Sequence, residues 1–275
     1  MEPLDAVRAS NRHIETIATA RYATALPELS ELIARHRYFG VYAVGRTAPL
    51  GGGLHTTHAA LALFPRSLVA HMVGKVAAAD GVEDLREQYV AACAAAGDRL
   101  LAEFDDAEEL AQRLETLIER ADFRSRTLAA AWADLPRPEG AGARVELATT
   151  VLRELRGGAH VSVLATHGLL DVEALLLGAL WRGRTPEGGA RSFGYRDDDI
   201  EGGWARLIAA GRVTSDREIT DEGRAERQAI EDLTEAFAAQ PWVEVDADDR
   251  ATTVELLAGA AEVVRVARLE APHAN

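Results

Sequence analysis

The segment that most limits how this chain can fold runs from Trp204 to Arg224. A helical stretch closes on Leu207-Ile208-Ala209-Ala210-Gly211-Arg212-Val213, with the glycine where a helix stops and a short strand beginning after it. A polar turn follows at Asp216-Arg217, then a second strand reading Glu218-Ile219-Thr220, and Thr220-Asp221-Glu222-Gly223 opens a long helix that continues from Arg224 to Ala239. Asp171 is a natural N-cap for a helix over Val172 to Trp181, and a loop rich in Gly and Arg (Arg182 to Gly194) joins it to the stretch that starts at Asp197.

Helix, helix, short strand, turn, short strand and long helix in this order resemble the winged helix of MarR-type regulators, and the module is expected over Gly158 to Gln240. Its candidate recognition helix, however, opens with Asp197, Asp198, Asp199 and Glu201, opposed only by Arg196 and Arg206. Winged helices that read the major groove supply Arg, Lys, Asn, Gln and Ser from this position. Nine Arg against fifteen Asp plus Glu between Gly158 and Gln240 leave the module at about −6, within a chain of −14. Such a charge repels phosphate backbones, so nucleic acid is not expected as a partner.

The remainder reads as helix. Aromatics are only 5%, and the apolar fraction rests on Ala, Leu and Val, which favours closely packed helices over a sandwich or barrel. Ala25 to His36 sets Leu26, Leu29, Leu32 and Ile33 on one face; helices are also expected over Leu54 to Phe64, Pro65 to Val76, Gly81 to Ala95, Asp105 to Arg120 and Arg124 to Leu135. Pro136 to Gly142 is the linker candidate. Arg144 to Arg156 is expected to stop at Gly157-Gly158, with a separate short helix over His160 to His167, and Ala251 to Leu269 suits packing or dimerisation. The fold class is therefore mainly α: an N-terminal helical domain (1–138), a winged-helix domain with a small two-stranded wing (144–242) and a C-terminal helix (243–275). With a single cysteine, Cys93, no apolar leader at Met1 to Ala9 and no apolar run long enough for a membrane, the expectation is a soluble cytoplasmic protein, with a homodimer as one arrangement.

Two further segments, Tyr42-Ala43-Val44-Gly45-Arg46-Thr47-Ala48-Pro49-Leu50-Gly51 and Leu152-Arg153-Glu154-Leu155-Arg156-Gly157-Gly158-Ala159-His160-Val161 running on to Glu173, resemble a largely uncharacterised actinobacterial helix-turn-helix family with a MarR-like half. The resemblance covers Tyr38 to Trp242 and implies a fold without an activity. The chain has Leu155 and Gly158 where that family's pattern has His and Asp, so no chemistry of those two positions carries over.

Residues with chemical potential gather in the same segments. Tyr42 and Arg46 stand one helical turn apart, and Arg46 can hold an anionic group or pair with an internal acid. Glu154 and His160 are candidates for acid/base work together with Tyr42, and Arg46, Arg153 and Arg191 for substrate binding; the alternative is an ion-pair network. His55 and His58 have i, i+3 spacing and could share a metal if a third ligand such as His71 came near, but no acidic residue lies between them and they follow a glycine loop. No nucleotide-binding fingerprint is present, and no cofactor is expected. Three functions are consistent with this reading: a winged-helix scaffold that has left DNA and binds a small molecule, as an enzyme of specialised metabolism would; a MarR-like ligand-responsive regulator; or a purely structural interaction module built on the Ala- and Leu-rich terminal helices.

Overall fold

The computed structural model describes residues 1–23, 27–79 and 82–270, and among these it is helical throughout. In chain order the helices are α1 (Pro3–Ala18), α2 (Ala20–Ala23), α3 (Pro27–Gly40), α4 (Leu54–Ala60), α5 (Arg66–Ala79), α6 (Val82–Leu100), α7 (Ala107–Glu119), α8 (Thr127–Ala133) and α9 (Ala141–Thr166). They continue as α10 (Asp171–Trp181), α11 (Pro186–Ser192), α12 (Asp197–Ala209), α13 (Asp221–Ala238) and α14 (Ala247–Glu270). A π-helical turn, Val41–Gly45, and a 3-10 turn, Ala48–Leu50, connect α3 to α4. Leu29 and Leu32 of α3 are buried and Ile33 packs beside them, as their spacing requires; Leu26 and Gly81 lie outside the described residues.

The central rod is α9. Its first half is buried almost all round, because α1, α6, α7 and α8 pack against it from different sides. α6 comes closest: a Cβ on Gly142 would sit 2.6 Å from the Gly97 carbonyl, so the two helices meet backbone to backbone. There Asp98 Oδ1 accepts the Ala143 N–H at 2.7 Å and satisfies one of the open donors at the start of α9. Of the stretch before it, Gly142 is buried in this contact, while Pro136, Arg137 and Glu139 are exposed.

Two apolar cores result. The first gathers Val7, Leu29, Leu85, Leu114 and Trp132 with α9 residues up to Leu155, and then Trp242, Leu257 and Val264 from the far end of the chain, where α14 lies along α1. The second joins Val163 and Leu164 to Val172, Leu177, Ile200, Trp204, Leu207 and Ile230, the interior of the α10–α11–α12 unit and α13.

Two expectations are corrected here. The winged-helix domain with a small two-stranded wing is not what forms: no strand occurs among the described residues, and residues 212–220 keep one isolated antiparallel bridge, Val213 to Ile219. The cause is local. Arg212 N bonds Leu207 O at the end of α12, while Thr220 caps α13 by accepting from Gly223 N at 3.0 Å and donates to Gly211 O at 2.8 Å. Both flanks run straight into the helices, so the pairing is limited to Thr214 N to Glu218 O at 2.8 Å and Thr220 N to Arg212 O at 3.1 Å around a tight turn with Arg217 at φ 63°. Second, α9 does not stop at Gly157-Gly158. Two mid-helix glycines cost about 1 kcal/mol each relative to alanine, a small term beside the burial of α9 in one core before them and in the other after them. Among the described residues, no single helix is long and apolar enough to cross a membrane.

Candidate functional site

A cavity of about 570 Å³ opens where the two cores meet. Its apolar wall is Leu50, Leu61, Phe64, Leu128 and Phe193; its polar end carries Tyr42, Arg46, Arg126, Arg153, Glu154 and His160. Five of the six residues singled out above thus surround one space, although they come from segments far apart in sequence. Arg191 does not join them: it lies on α11, more than half exposed, and pairs with Asp197 at 3.0 Å. His55 is exposed on α4, and among the described residues no group of three His, Cys, Asp or Glu is placed to hold a metal ion.

The polar end is built on Glu154. Arg46 grips it bidentately, Nε to Oε1 and Nη2 to Oε2, both at 2.7 Å, and donates its remaining Nη1 to Tyr42 Oη at 3.0 Å. The π-helical turn before Arg46 brings its guanidinium back over Tyr42, and Trp132 Nε1 fixes the backbone there by donating to the Arg46 carbonyl at 3.0 Å. Arg153 adds a second donor to Glu154 Oε1 at 2.9 Å and anchors its other side on Glu15 at 2.9 Å. Burial alone would raise the Glu154 carboxyl, but Arg46, and after it Arg153, hold it below the usual carboxylate range. Glu154 is therefore a fixed carboxylate that orients two arginines, and a poor proton donor.

His160 has the opposite character. Thr234 Oγ1 donates its only hydrogen to Ile230 O at 2.7 Å, so at 3.1 Å from His160 Nδ1 it accepts, and the histidine carries its proton on Nδ1. Nε2 is left with a free lone pair. Burial, reinforced by Arg227, Arg156 and Arg182 against the opposing pull of Glu231, lowers its pKa to about 4, and the ring is neutral near pH 7. A neutral imidazole at the rim of an apolar cavity can accept a hydrogen bond or a proton from a bound molecule.

Deeper in the first core lies a network that the sequence reading missed. Arg21, buried with Glu146, donates to Thr150 Oγ1 at 2.9 Å and to Tyr89 Oη at 3.2 Å; Tyr89 Oη shares a 2.6 Å hydrogen bond with Tyr22, whose ring stands edge-on to Tyr42. Burial raises the Tyr89 phenol and the Cys93 thiol, so neither ionises near neutrality. The available signal was spacing: Glu146, Thr150 and Glu154 recur every fourth residue along a helix otherwise rich in Ala, Val and Leu.

On the far side of the second core, the arginines nearest the acidic start of α12 are spent within the protein. Arg191 pairs with Asp197, Arg196 with Asp199, Arg217 with Glu201 and Arg206 with Glu173. Asp198 remains exposed at the tip.

A sequence profile described as a helix-turn-helix family matches residues 7–270. No curated protein and no solved structure matches the chain.

Proposed function

The chain belongs to the helix-turn-helix family, and we propose that its α10–α11–α12 unit walls a small-molecule site instead of reading DNA. The observation that carries this reading is the cavity itself: an apolar wall large enough for a drug-sized metabolite, with convergent polar groups at one end, set between the two cores. Against DNA stands the start of α12, where three consecutive aspartates face solvent and the neighbouring arginines already have carboxylate partners. The ligand is partly apolar, with a polar group directed at the Arg46–Glu154–Arg153 end.

If the bound molecule is transformed, as an enzyme of specialised metabolism in the reducing cytoplasm would do, His160 Nε2 is the base and Glu154 the positioning carboxylate. A second reading, a ligand-responsive regulator, draws on Phe193: it lies four residues before α12 and also lines the cavity, so occupancy would be felt at the helix-turn-helix unit.

A metabolite library screened by thermal shift tests the proposal. Compounds that raise the unfolding temperature of the wild type are expected to lose their effect in Phe193→Ala and in Ser162→Trp, which fills the cavity mouth. Hits that act equally on both variants place the ligand elsewhere. In a gel-shift titration the unliganded protein is expected to leave duplex DNA free; a complex that weakens steeply with salt would favour the regulator.

A further inference from the structure

Behind His160, on the side away from the cavity, positive charge accumulates without matching acids. Arg156 on α9, Arg182 at the end of α10 and Arg227 on α13 converge on a single carboxylate, Glu231, which accepts from Arg156 Nη2 at 3.0 Å and from Arg227 Nη2 at 2.5 Å. Arg184 adds a further positive charge close by. In a chain of net charge −14 this is an unusual concentration.

Arg227 is the informative member. Its side chain is 3% exposed and stacks on Trp181 with 5.2 Å from guanidinium carbon to ring centroid, yet its Nε and Nη1 are buried and donate to no acceptor, as does Arg156 Nε. The last carbonyls of α10 accept from backbone donors: Arg182 N bonds Gly178 O and Ala179 O, Arg184 N bonds Ala179 O, and Gly183 N bonds Leu180 O. A buried guanidinium with two idle donors is costly. Arg227 Nε lies over Gly178: a Cβ there would be 3.5 Å from Arg227 Nε and 3.1 Å from Arg182 Nη2, so two like charges share the space over a bare stretch of α10. Burial and the repulsion from Arg227 accordingly lower the Arg182 pKa.

We propose that Arg156, Arg182 and Arg227 form a binding site for a phosphate-type oxyanion, distinct from the cavity at the junction of the cores. The three guanidiniums come from α9, from the residue after α10 and from α13, and a phosphate-type anion has enough acceptor oxygens to serve them together. The anion supplies the acceptors that Arg227 lacks and replaces the Arg182–Arg227 repulsion with two charge-assisted hydrogen bonds. Arg182, the exposed member, is the side chain that moves to admit it. A nucleic-acid backbone is the wrong occupant, because Arg227 lies too deep for a duplex to reach.

Isothermal titration of the full chain with inorganic phosphate, at constant ionic strength set by chloride, tests the assignment. Saturable binding is expected in the wild type, about tenfold weaker in Arg182→Gln and unchanged in Arg224→Gln, an exposed arginine outside the cluster. Acetate is expected to bind far more weakly; an equally strong acetate site would overturn the phosphate-type assignment. No saturable phosphate binding, or unchanged binding in Arg182→Gln, overturns the site. Should Arg182→Gln fold poorly, Glu231→Gln decides: without the competing carboxylate, phosphate is expected to bind more tightly and to raise the unfolding temperature further than in the wild type, and an unchanged response counts against the proposal.

Discussion

α9 carries two neighbouring arginine–glutamate clusters, one over Glu146 to Glu154 and one beginning at Arg156, that are built to opposite rules. In the first, Glu146 meets Arg21, and Glu154 meets Arg46 and Arg153, which is itself shared with Glu15; carboxylates and guanidiniums balance, and Arg46 closes on Glu154 in fork geometry. In the second, Glu231 alone serves Arg156 and Arg227, with Arg182 adjacent. The same residue types thus give a rigid, neutral floor to one space and an unneutralised positive locus in another. Balance, and not the presence of arginine, separates an architectural ion pair from a place with unmet demand for an anion.

The largest test of that contrast removes a partner from the balanced cluster. Glu154→Ala strands Arg46 and Arg153 in the interior and is expected to cost about 3–5 kcal/mol in denaturant unfolding; a loss under 1 kcal/mol would mean that the pair is not a closed unit. Next, Arg46→Lys keeps the charge and removes the fork, and about 2 kcal/mol should go with the second hydrogen bond and the Tyr42 contact. Equal stability of the lysine variant would show that charge alone suffices there.

The third test uses pH at the boundary between the clusters. His160 has a folded pKa of about 4 against 6.5 for an unperturbed histidine, so between these values the unfolded chain binds the proton that the folded chain refuses. Stability is then fully present above about pH 6.5 and declines as pH falls toward 4, by on the order of 1–2 kcal/mol after allowing for partial exposure. His160→Asn should flatten that part of the profile, read as unfolding temperature against pH. The smallest effect belongs to the overcharged cluster: Arg182→Gln removes a like charge and is expected to stabilise the anion-free protein by a few tenths of a kcal/mol. A loss of stability instead would make Arg182 a structural partner and erase the contrast.

Much of this architecture was legible in the sequence, for identifiable reasons. Periodic Leu and Ala announce the helices, and the turn at Asp216-Arg217 sits where its polar residues put it. Val213 and Ile219 look like strand residues, yet no strand forms, because α12 ends and α13 begins too close to the turn for more than two backbone bonds across it. Gly157-Gly158 looked like a stop for a related reason, since burial by distant elements outweighs local propensity. At the candidate site, Tyr42 with Arg46 and Arg153 with Glu154 could be found from short spacings. Their convergence with Phe64, Leu128 and Phe193 could not, because it depends on where α8 and the α11–α12 loop come to rest. Arg191 shared the composition of the site residues but not their location; an adjacent aspartate claims it.

The position of α14 has a consequence for the order of events during synthesis. α1 leaves the ribosome well before α14, the helix it packs on, and the whole α10–α13 segment emerges between them. At about 5–20 residues per second, Val7, Ile14 and the rest of that face wait tens of seconds or less for Leu257 and Val264, while the second core already holds all its parts. The nascent chain therefore completes its later-made core before its earlier-made one, and the interval between the two is when its apolar surface is open to chaperones.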